Sequence, residues 1–358
     1  MATVPQVTYH RLGNSGLRVS NPVLGCMSFG SEEWGKWVLN EDAALPLLKA
    51  AWDRGVTTWD TANLYSNGES ERIIAKALKK YNIPRSKVLI LTKCHFLVGN
   101  TPGQHTLFNP ELHNQRDFVN QAGLSRAAIF NQVEASLARL ETDYIDLLQI
   151  HRADPNTPAE ETMWALNDLV RSGKVRYIGA STMWAWQLAE YNNVAEKHGW
   201  TKFVSMQSQY SLLYREEERE MNAYCNRFGL GLIPWGPVAN GHLARPLGEE
   251  STRSEGTKGT PFELKHSAAD KEIINRVEEL AKKRGWKMAQ VALAWMNTKV
   301  TAPIVGISSP QRLEEAIIPD KKLTEEEIKY LEEPYVIYWI VGPMLMEYRY
   351  EPKRVLGQ

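Results

Sequence analysis

Short apolar segments rich in β-branched residues alternate along the chain with longer segments of mixed polarity. The short segments predict buried strands, and the longer ones, with apolar residues near the helical period, predict helices. Eight such pairs can be traced. The predicted strands are 22–24, 56–59, 88–91, 145–149, 175–178, 203–206, 230–233 and 302–305. The predicted helices that follow them are 42–54, 69–80, 125–140, 159–172, 184–198, 216–228, 270–284 and 310–317.

This alternation favours a parallel sheet, and eight repeats favour a closed α/β barrel, the (β/α)8 or TIM barrel, over an open sheet. The chain has 358 residues, more than the roughly 250 of a plain barrel of this kind. One domain with long loops or a tail fits that length, and two domains are also possible.

Two segments are longer than ordinary loops, 94–124 and 237–267, and both are rich in glycine, proline and polar residues. Both follow the carboxyl end of a predicted strand, where a barrel carries its active site, so we expect lids over a site. The longest apolar stretch, 335–346, contains a glycine and a proline. It is too short to span a bilayer, so we expect it to pack over a pocket or a partner surface.

The composition of the chain argues against several classes of binding partner and structural site. Lysine and arginine together number 42, as do aspartate and glutamate, so no net charge attracts nucleic acid or an anionic membrane. Cys26, Cys94 and Cys225 are widely spaced, which argues against a disulfide framework or a zinc site and for a reducing compartment. The first residues lack the pattern of a signal peptide, so we expect a cytoplasmic protein.

Polar residues of complementary chemistry follow three consecutive predicted strands. Asp60, Lys93 and His151 come just after the second, third and fourth strands, and Tyr65 lies five residues beyond Asp60. An ammonium beside the phenol would lower its pKa, and a carboxylate would offset the cost of burying the ammonium. A carbonyl oxygen held between Tyr65 and His151 would be polarised for attack by hydride. Each residue alone has a plain structural interpretation, so the argument depends on their joint order.

The segment 55–65, GVTTWDTANLY, with Gly68 to Glu71 after it, resembles the N-terminal motif of the aldo-keto reductase superfamily. The segments 91–93 and 148–151 resemble its lysine and histidine motifs, and the resemblance extends from about Leu12 to about Glu333. It implies a barrel domain over 1–333 and a C-terminal tail over 334–358. It also carries the family's catalytic tetrad over to the four residues above and implies reduction of an aldehyde or ketone with NADPH, Tyr65 being the general acid.

The same resemblance implies where the cofactor, NADPH or NADP+, would bind. Ser181 and Gln207 correspond to contacts of the nicotinamide carboxamide, Trp235 to the aromatic residue that stacks on the nicotinamide, and Gly236 with Pro237 to the loop over the pyrophosphate. No GxGxxG follows a strand, so a Rossmann site is not indicated.

At the adenosine end, the resemblance assigns Ser309 and Arg312 to the 2′-phosphate and Glu315 to the adenine. Ala316 and Gly306 depart from the asparagine and lysine that many members carry there. Use of both NADPH and NADH therefore stays open.

The insertion at 94–124 and the segment 331–336 resemble the fungal aryl-alcohol dehydrogenase-like reductases, some of which serve secondary metabolism. The rim aromatics Trp34, Trp37 and Phe96 are predicted to line the substrate mouth, which favours an aryl or polycyclic carbonyl. Two alternatives remain: an NADPH-binding regulatory or scaffold protein similar to the β subunits of voltage-gated potassium channels, and a Schiff-base aldolase that uses Lys93. Oligomeric state is left open, and no metal site is expected because the histidines fit no common ligand spacing.

Overall fold

The computed structural model describes residues 7–337 except 108, 258 and 260–264. A hairpin of β1 (Thr8–Arg11) and β2 (Arg18–Asn21) precedes a sheet of eight parallel strands. These are β3 (Val23–Gly25), β4 (Thr58–Asp60), β5 (Leu89–Cys94), β6 (Ile145–Ile150), β7 (Val175–Ser181), β8 (Ser205–Gln207), β9 (Gly231–Leu232) and β10 (Ile304–Gly306).

The sheet is closed. Strands β3 to β9 pair in chain order, and β10 pairs with β3. On its other side β10 meets the chain just after β9, through a parallel bridge between Trp235 and Ile304 and a hydrogen bond of 2.9 Å from Ile304 N to Pro234 O. The predicted (β/α)8 barrel is therefore confirmed.

Helices surround the strands. They are α1 (Glu41–Asp53), α2 (Glu69–Lys80), α3 (Arg126–Leu140), α4 (Ala159–Arg171), α5 (Ala185–His198), α6 (Met221–Phe228), α7 (Thr252–Thr257), α8 (Ala268–Arg284), α9 (Met288–Met296), α10 (Pro310–Ala316) and α11 (Glu325–Glu332). Several begin where the sequence supplies a capping side chain: Thr324 accepts from Glu327 N at the start of α11, and Ser267 accepts from Asp270 N at the start of α8. The helix expected over 216–228 is divided into a 3-10 helix, Glu216–Glu218, and α6. None of the described helices is long and apolar enough to cross a bilayer.

The hairpin closes one end of the barrel. Leu12 and Val19 are fully buried in an apolar cluster with inward-facing strand residues such as Leu91 and Leu147. Gly13 lies so close to Gly229 and Gly231, at the start of β9, that an added Cβ would fall 2.2 Å from Gly229 O. Because this plug covers the amino ends of the strands, the opposite end is left for polar side chains.

The insertion at 94–124 carries a small core of its own, formed by Leu97, Leu112 and Phe118. Asn67 ties it to the barrel: its Nδ2 donates to the carbonyls of Thr101 and Gln104 at 2.8 Å, and its Oδ1 accepts from Gly99 N. The second long segment contains a 3-10 helix, Ala239–Ala244, and α7. The described parts of both segments therefore contain short helices, and their role as lids stays a prediction. Most of the apolar stretch 335–346 lies outside the described residues.

Candidate active site

Three predicted residues form one hydrogen-bonded group at the carboxyl ends of β4 and β5. Lys93 Nζ lies 2.7 Å from Asp60 Oδ2 and 3.3 Å from Tyr65 OH. Its third bond, of 2.8 Å, goes to the carbonyl oxygen of Thr61. All three donor positions of the ammonium are thus used, one of them by the phenol. Lys93 is 1% exposed and Asp60 2% exposed, so the ion pair is fully desolvated.

Two glutamines complete the surroundings of Asp60. Gln149 Nε2, on β6, donates to Asp60 Oδ1 at 3.1 Å, and Gln207 Nε2, at the end of β8, donates to the same atom at 2.8 Å. Gln207 also donates to Gln149 Oε1 at 2.8 Å. Gln207 was predicted only as a cofactor contact, and Gln149 only as part of the histidine motif. Asp60, Gln149 and Gln207 lie on the alternate strands β4, β6 and β8, whose side chains share layers inside a barrel, and this is the signal that could have identified the role.

The loop after β4 places Tyr65. It forms a 3-10 helix, Tyr65–Gly68, in which Ser66 and Asn67 adopt positive φ angles of 49° and 51°. The hydroxyl oxygen of Ser66 accepts a hydrogen bond from Ser31 N, and Asn67 holds the insertion. Backbone strain at both residues is therefore offset by specific contacts that fix the direction of the tyrosine.

The remainder of the N-terminal motif is structural. Glu71 is fully buried, accepts from Thr92 Oγ1 at 2.6 Å and pairs with Arg139 Nε at 2.6 Å. Ser70 Oγ donates to Cys26 O at 2.8 Å. These bonds fasten α2 to the residue that follows β3 and to β5, the strand that carries Lys93.

Burial decides the charge states of the group. Burial raises the pKa of the Tyr65 phenol above its ordinary value, and the Lys93 charge only partly offsets that rise. The expectation that Lys93 sets a lowered pKa is therefore wrong for this arrangement, because desolvation of a phenolate outweighs the attraction of an ammonium already bound to Asp60. Burial alone would lower the pKa of Lys93, but the adjacent Asp60 raises it above its usual range. At neutral pH Tyr65 therefore keeps its proton and Lys93 keeps its charge.

His151 follows β6 directly and lies beside Tyr65, with ring centroids 6.0 Å apart. It is 8% exposed, and its Nδ1 is buried without a hydrogen-bond partner among the described residues. Burial and the Lys93 charge hold the pKa of His151 well below its ordinary value. The imidazole is therefore neutral at physiological pH and has one N–H to donate.

The buried, neutral state of His151 predicts how the stability of the protein depends on pH. An unfolded histidine has a pKa near 6.5. Because the pKa of His151 is lower in the folded protein, the unfolded chain binds protons more readily, and acid favours unfolding. Stability is complete above about pH 6.5 and falls as the pH drops below it. Between about pH 7.5 and pH 5, we expect the wild type to lose up to about 2 kcal/mol more unfolding free energy than His151→Gln. Urea titrations at the two pH values measure the difference, and equal losses would contradict the buried neutral imidazole.

The predicted substrate residues lie around this group. The Trp34 ring is 6.3 Å from that of Tyr65 and 5.9 Å from that of Trp37. Phe96 packs on His151 with centroids 4.9 Å apart. An aromatic wall therefore borders the phenol on one side and the imidazole on the other.

The residues predicted for the nicotinamide lie on the next strands. Ser181, the last residue of β7, donates from Oγ to Gln207 O at 2.7 Å. Trp235, half-buried after β9, donates from Nε1 to Thr182 Oγ1 at 3.2 Å. Gln207 connects this side to Asp60, as described above. Ser181, Gln207 and Trp235 therefore lie along one rim next to the group of Asp60, Lys93 and Tyr65.

The residues predicted for the other end of the cofactor lie further along the same rim. Gly236 has a φ of 73° and open space around its Cα, and Pro237 after it is buried. Ser309 caps α10 and accepts from Arg312 N, whereas the carboxylate of Glu315 accepts from Gln311. The side chain of Arg312, on the first turn of α10, is exposed to solvent.

Sequence reasoning missed Arg245, which lies close to Arg312. Burial and the Arg312 charge lower the pKa of Arg245 below its usual range. Neither guanidinium is bound to a carboxylate in the part of the chain that the structure describes. The charge of Glu249 offsets only part of this effect on Arg245. Two guanidiniums close together are suited to a phosphate group.

Comparison with known proteins agrees with this geometry. Residues 23–335 match the aldo/keto reductase family. The chain is 58% identical to an aldo-keto reductase of Fusarium vanettenii, covering 92% of this chain and 91% of that protein. It is 54% identical to versiconal hemiacetal acetate reductase of Aspergillus parasiticus, covering 92% and 97%. A protein of Schizosaccharomyces pombe, provisionally named an aryl-alcohol dehydrogenase, is 52% identical, covering 94% and 97%. Strand order, site and sequence together establish that the chain belongs to the aldo/keto reductase family.

Proposed function

We propose that this protein is an NADPH-dependent oxidoreductase that reduces an aryl or polycyclic aldehyde or ketone to the alcohol, with Tyr65 as the general acid. The observation that carries the proposal is the bonded series Asp60–Lys93–Tyr65, with Lys93 Nζ at 2.7 Å and 3.3 Å from its two partners. It provides a proton at one atom and a means of stabilising the charge left behind.

Each side chain of the group has a separate role in the proposed reaction. NADPH, when bound, supplies the hydride that the carbonyl carbon accepts. Tyr65 OH gives its proton to the carbonyl oxygen, and Lys93 stabilises the phenolate that forms. Asp60 keeps Lys93 charged, and neutral His151 donates a hydrogen bond that orients the same oxygen. Because burial raises the pKa of Tyr65, the phenol holds its proton until the oxygen becomes basic.

The two guanidiniums on the rim support NADPH over NADH. Arg245 and Arg312 would hold the 2′-phosphate, and Ser309 lies at the start of the helix that carries Arg312. We expect Arg312→Ala to weaken NADPH binding by about 10- to 100-fold, since a charge-assisted hydrogen bond contributes about 1.5–3 kcal/mol. NADH lacks that phosphate, so its affinity should change by less than about twofold. Fluorescence titration with both nucleotides checks this, and equal losses for the two would contradict the assignment.

The substrate class rests on the aromatic wall. Trp34 and Phe96 flank Tyr65 and His151 and would pack on a planar ring beside the reacting carbonyl. Two of the relatives are named for action on aryl alcohols and on versiconal hemiacetal acetate. The second of these names supports a place in fungal secondary metabolism. The three free, buried cysteines support a cytoplasmic location.

The aldolase alternative is disfavoured by the charge of Lys93. A Schiff base requires a neutral amine, whereas the ion pair with Asp60 raises the pKa of Lys93 and uses its donors. The regulatory alternative, in which NADPH binds without turnover, has no specific observation in its favour.

A carbonyl panel tests the proposal. NADPH oxidation is followed by its absorbance with aromatic aldehydes and ketones and with aliphatic aldehydes of equal carbon number as the matched set. We expect turnover with a preference for the aryl members. Tight NADPH binding with no turnover on any carbonyl would overturn the enzymatic proposal and favour the regulatory one.

A further inference from the structure

Arg152 is a half-buried arginine that the mechanism does not use. It follows His151 at the end of β6, and its Nη1 donates to the carbonyl oxygen of His151 at 2.7 Å. Its Nε is shielded from solvent and has no hydrogen-bond partner among the described residues. Burial lowers the pKa of Arg152 to about 10, which still leaves it charged at neutral pH.

Other arginines with little exposure in the described chain have a carboxylate partner, which Arg152 lacks. Arg85 pairs with Asp146 at 2.7 Å, Arg139 with Glu71 at 2.6 Å, and Arg215 with Glu218 at 2.8 Å. Within the described ranges Arg152 makes no such pair. A desolvated charge without a counter-ion is costly, so its retention suggests that a ligand supplies one.

The acidic residue next to it along the chain is already engaged. Asp154 Oδ2 accepts from Leu124 N and from Thr157 Oγ1, each at 2.8 Å, and Oδ1 accepts from Asn156 N at 2.9 Å. These bonds build the turn after β6. Asp154 is therefore not free to rotate towards Arg152 without breaking the turn.

The guanidinium borders the reacting groups. Its Cζ lies 6.0 Å from the centre of the Phe96 ring, the same ring that packs on His151. Its charge lowers the pKa of both Tyr65 and His151. A substrate with its carbonyl oxygen between those two residues would therefore present its neighbouring substituents to Arg152.

We propose that Arg152 is a specificity-determining residue that pairs with an oxygen anion, a carboxylate or a phenolate, carried by the substrate close to its reacting carbonyl. The planar fork of donors suits a carboxylate bound through both oxygens and a phenolate bound through one. This inference rests on the proposed function and adds a negatively charged group to the proposed aryl substrate.

The test compares anionic aldehydes with neutral ones of nearly equal shape. The pairs are 3- and 4-carboxybenzaldehyde against their methyl esters, and hydroxybenzaldehyde above its pKa against methoxybenzaldehyde, each with NADPH. We expect the wild type to show a higher kcat/KM for the anion in at least one pair. Arg152→Met should lower that value by about 10- to 100-fold and leave the neutral partner within about threefold. Arg152→Lys should recover part of the loss. The pair that responds identifies carboxylate or phenolate as the anion.

Equal losses on anionic and neutral aldehydes, or no preference for anions in the wild type, would overturn the role of Arg152. Activity on the neutral aldehydes shows that the variants fold. If the wild type reduced no aldehyde at all, the proposed reaction would fail separately. Benzoate binding to the protein saturated with NADP+, measured by calorimetry, would then test the role of Arg152. Loss of binding in Arg152→Met supports the inference, and unchanged binding refutes it.

Discussion

Tyr65→Phe is expected to lower kcat by about 10²- to 10⁴-fold, the range that a positioned general acid contributes. The substitution removes one hydroxyl, whose only hydrogen bond in the described structure is the 3.3 Å contact with Lys93 Nζ. Lys93 keeps its bonds to Asp60 and Thr61, so the barrel and the cofactor rim should be undisturbed. NADPH affinity should therefore remain within about twofold.

The measurement is single-turnover NADPH oxidation with a good aldehyde, together with nucleotide binding by fluorescence. Tyr9→Phe is the matched control, because it deletes a hydroxyl that donates to Gly55 O at 2.7 Å in the hairpin at the other end of the barrel. The control should keep full activity. Comparable rates in Tyr65→Phe and the wild type would remove Tyr65 from its assigned role.

Lys93→Met is expected to abolish turnover and also to destabilise the fold by about 3–5 kcal/mol. The variant would leave the Asp60 carboxylate buried, with Gln149 and Gln207 as its remaining side-chain donors among the described residues. The double variant Asp60→Asn/Lys93→Met removes that charge and should recover most of the stability while staying inactive. Stability and catalysis would then be separated at one site.

Chemical denaturation of the two variants gives the free energies, and Lys49→Met serves as the control. Lys49 forms an ion pair of similar length, 2.6 Å, with Asp53, but both side chains are exposed. Its loss should cost less than about 1 kcal/mol. Equal costs for Lys49→Met and Lys93→Met would contradict the claim that burial sets the importance of the Asp60–Lys93 pair.

The sequence was sufficient for the barrel and for placing Asp60, Tyr65, Lys93 and His151 close together at one end of it, because both follow from alternation. Parallel strands end at one face, so polar residues just after consecutive strands must meet there. The end of β6 and the start of α2 were predicted to within a residue for this reason. Several elements were missed, among them one helix and two strands. Helix α9 is almost wholly apolar and lacks a helical period, and the short strands β1 and β2 lie outside the eight repeats.

Long-range contacts could not be predicted. Strand positions place Gln207 and Asp60 at the same end of the barrel, but the hydrogen bond between them, across 147 positions, appears only in the folded structure. The direction of the Tyr65 pKa shift depends on how completely the phenol is desolvated, which only the packed structure determines. The same holds for Arg152 and Arg245, which look like surface arginines until their neighbours are known.

The central claim is that Asp60, Lys93 and Tyr65 serve a direct transfer of hydride from NADPH to a carbonyl carbon. NADPH deuterated at the transferable C4 position, incubated with an aryl aldehyde, tests it most directly by mass spectrometry of the alcohol. The account predicts one deuterium on the carbinol carbon for each NADPH consumed. Consumption of NADPH without deuterium in the product, or bound NADPH with no alcohol formed, would contradict it.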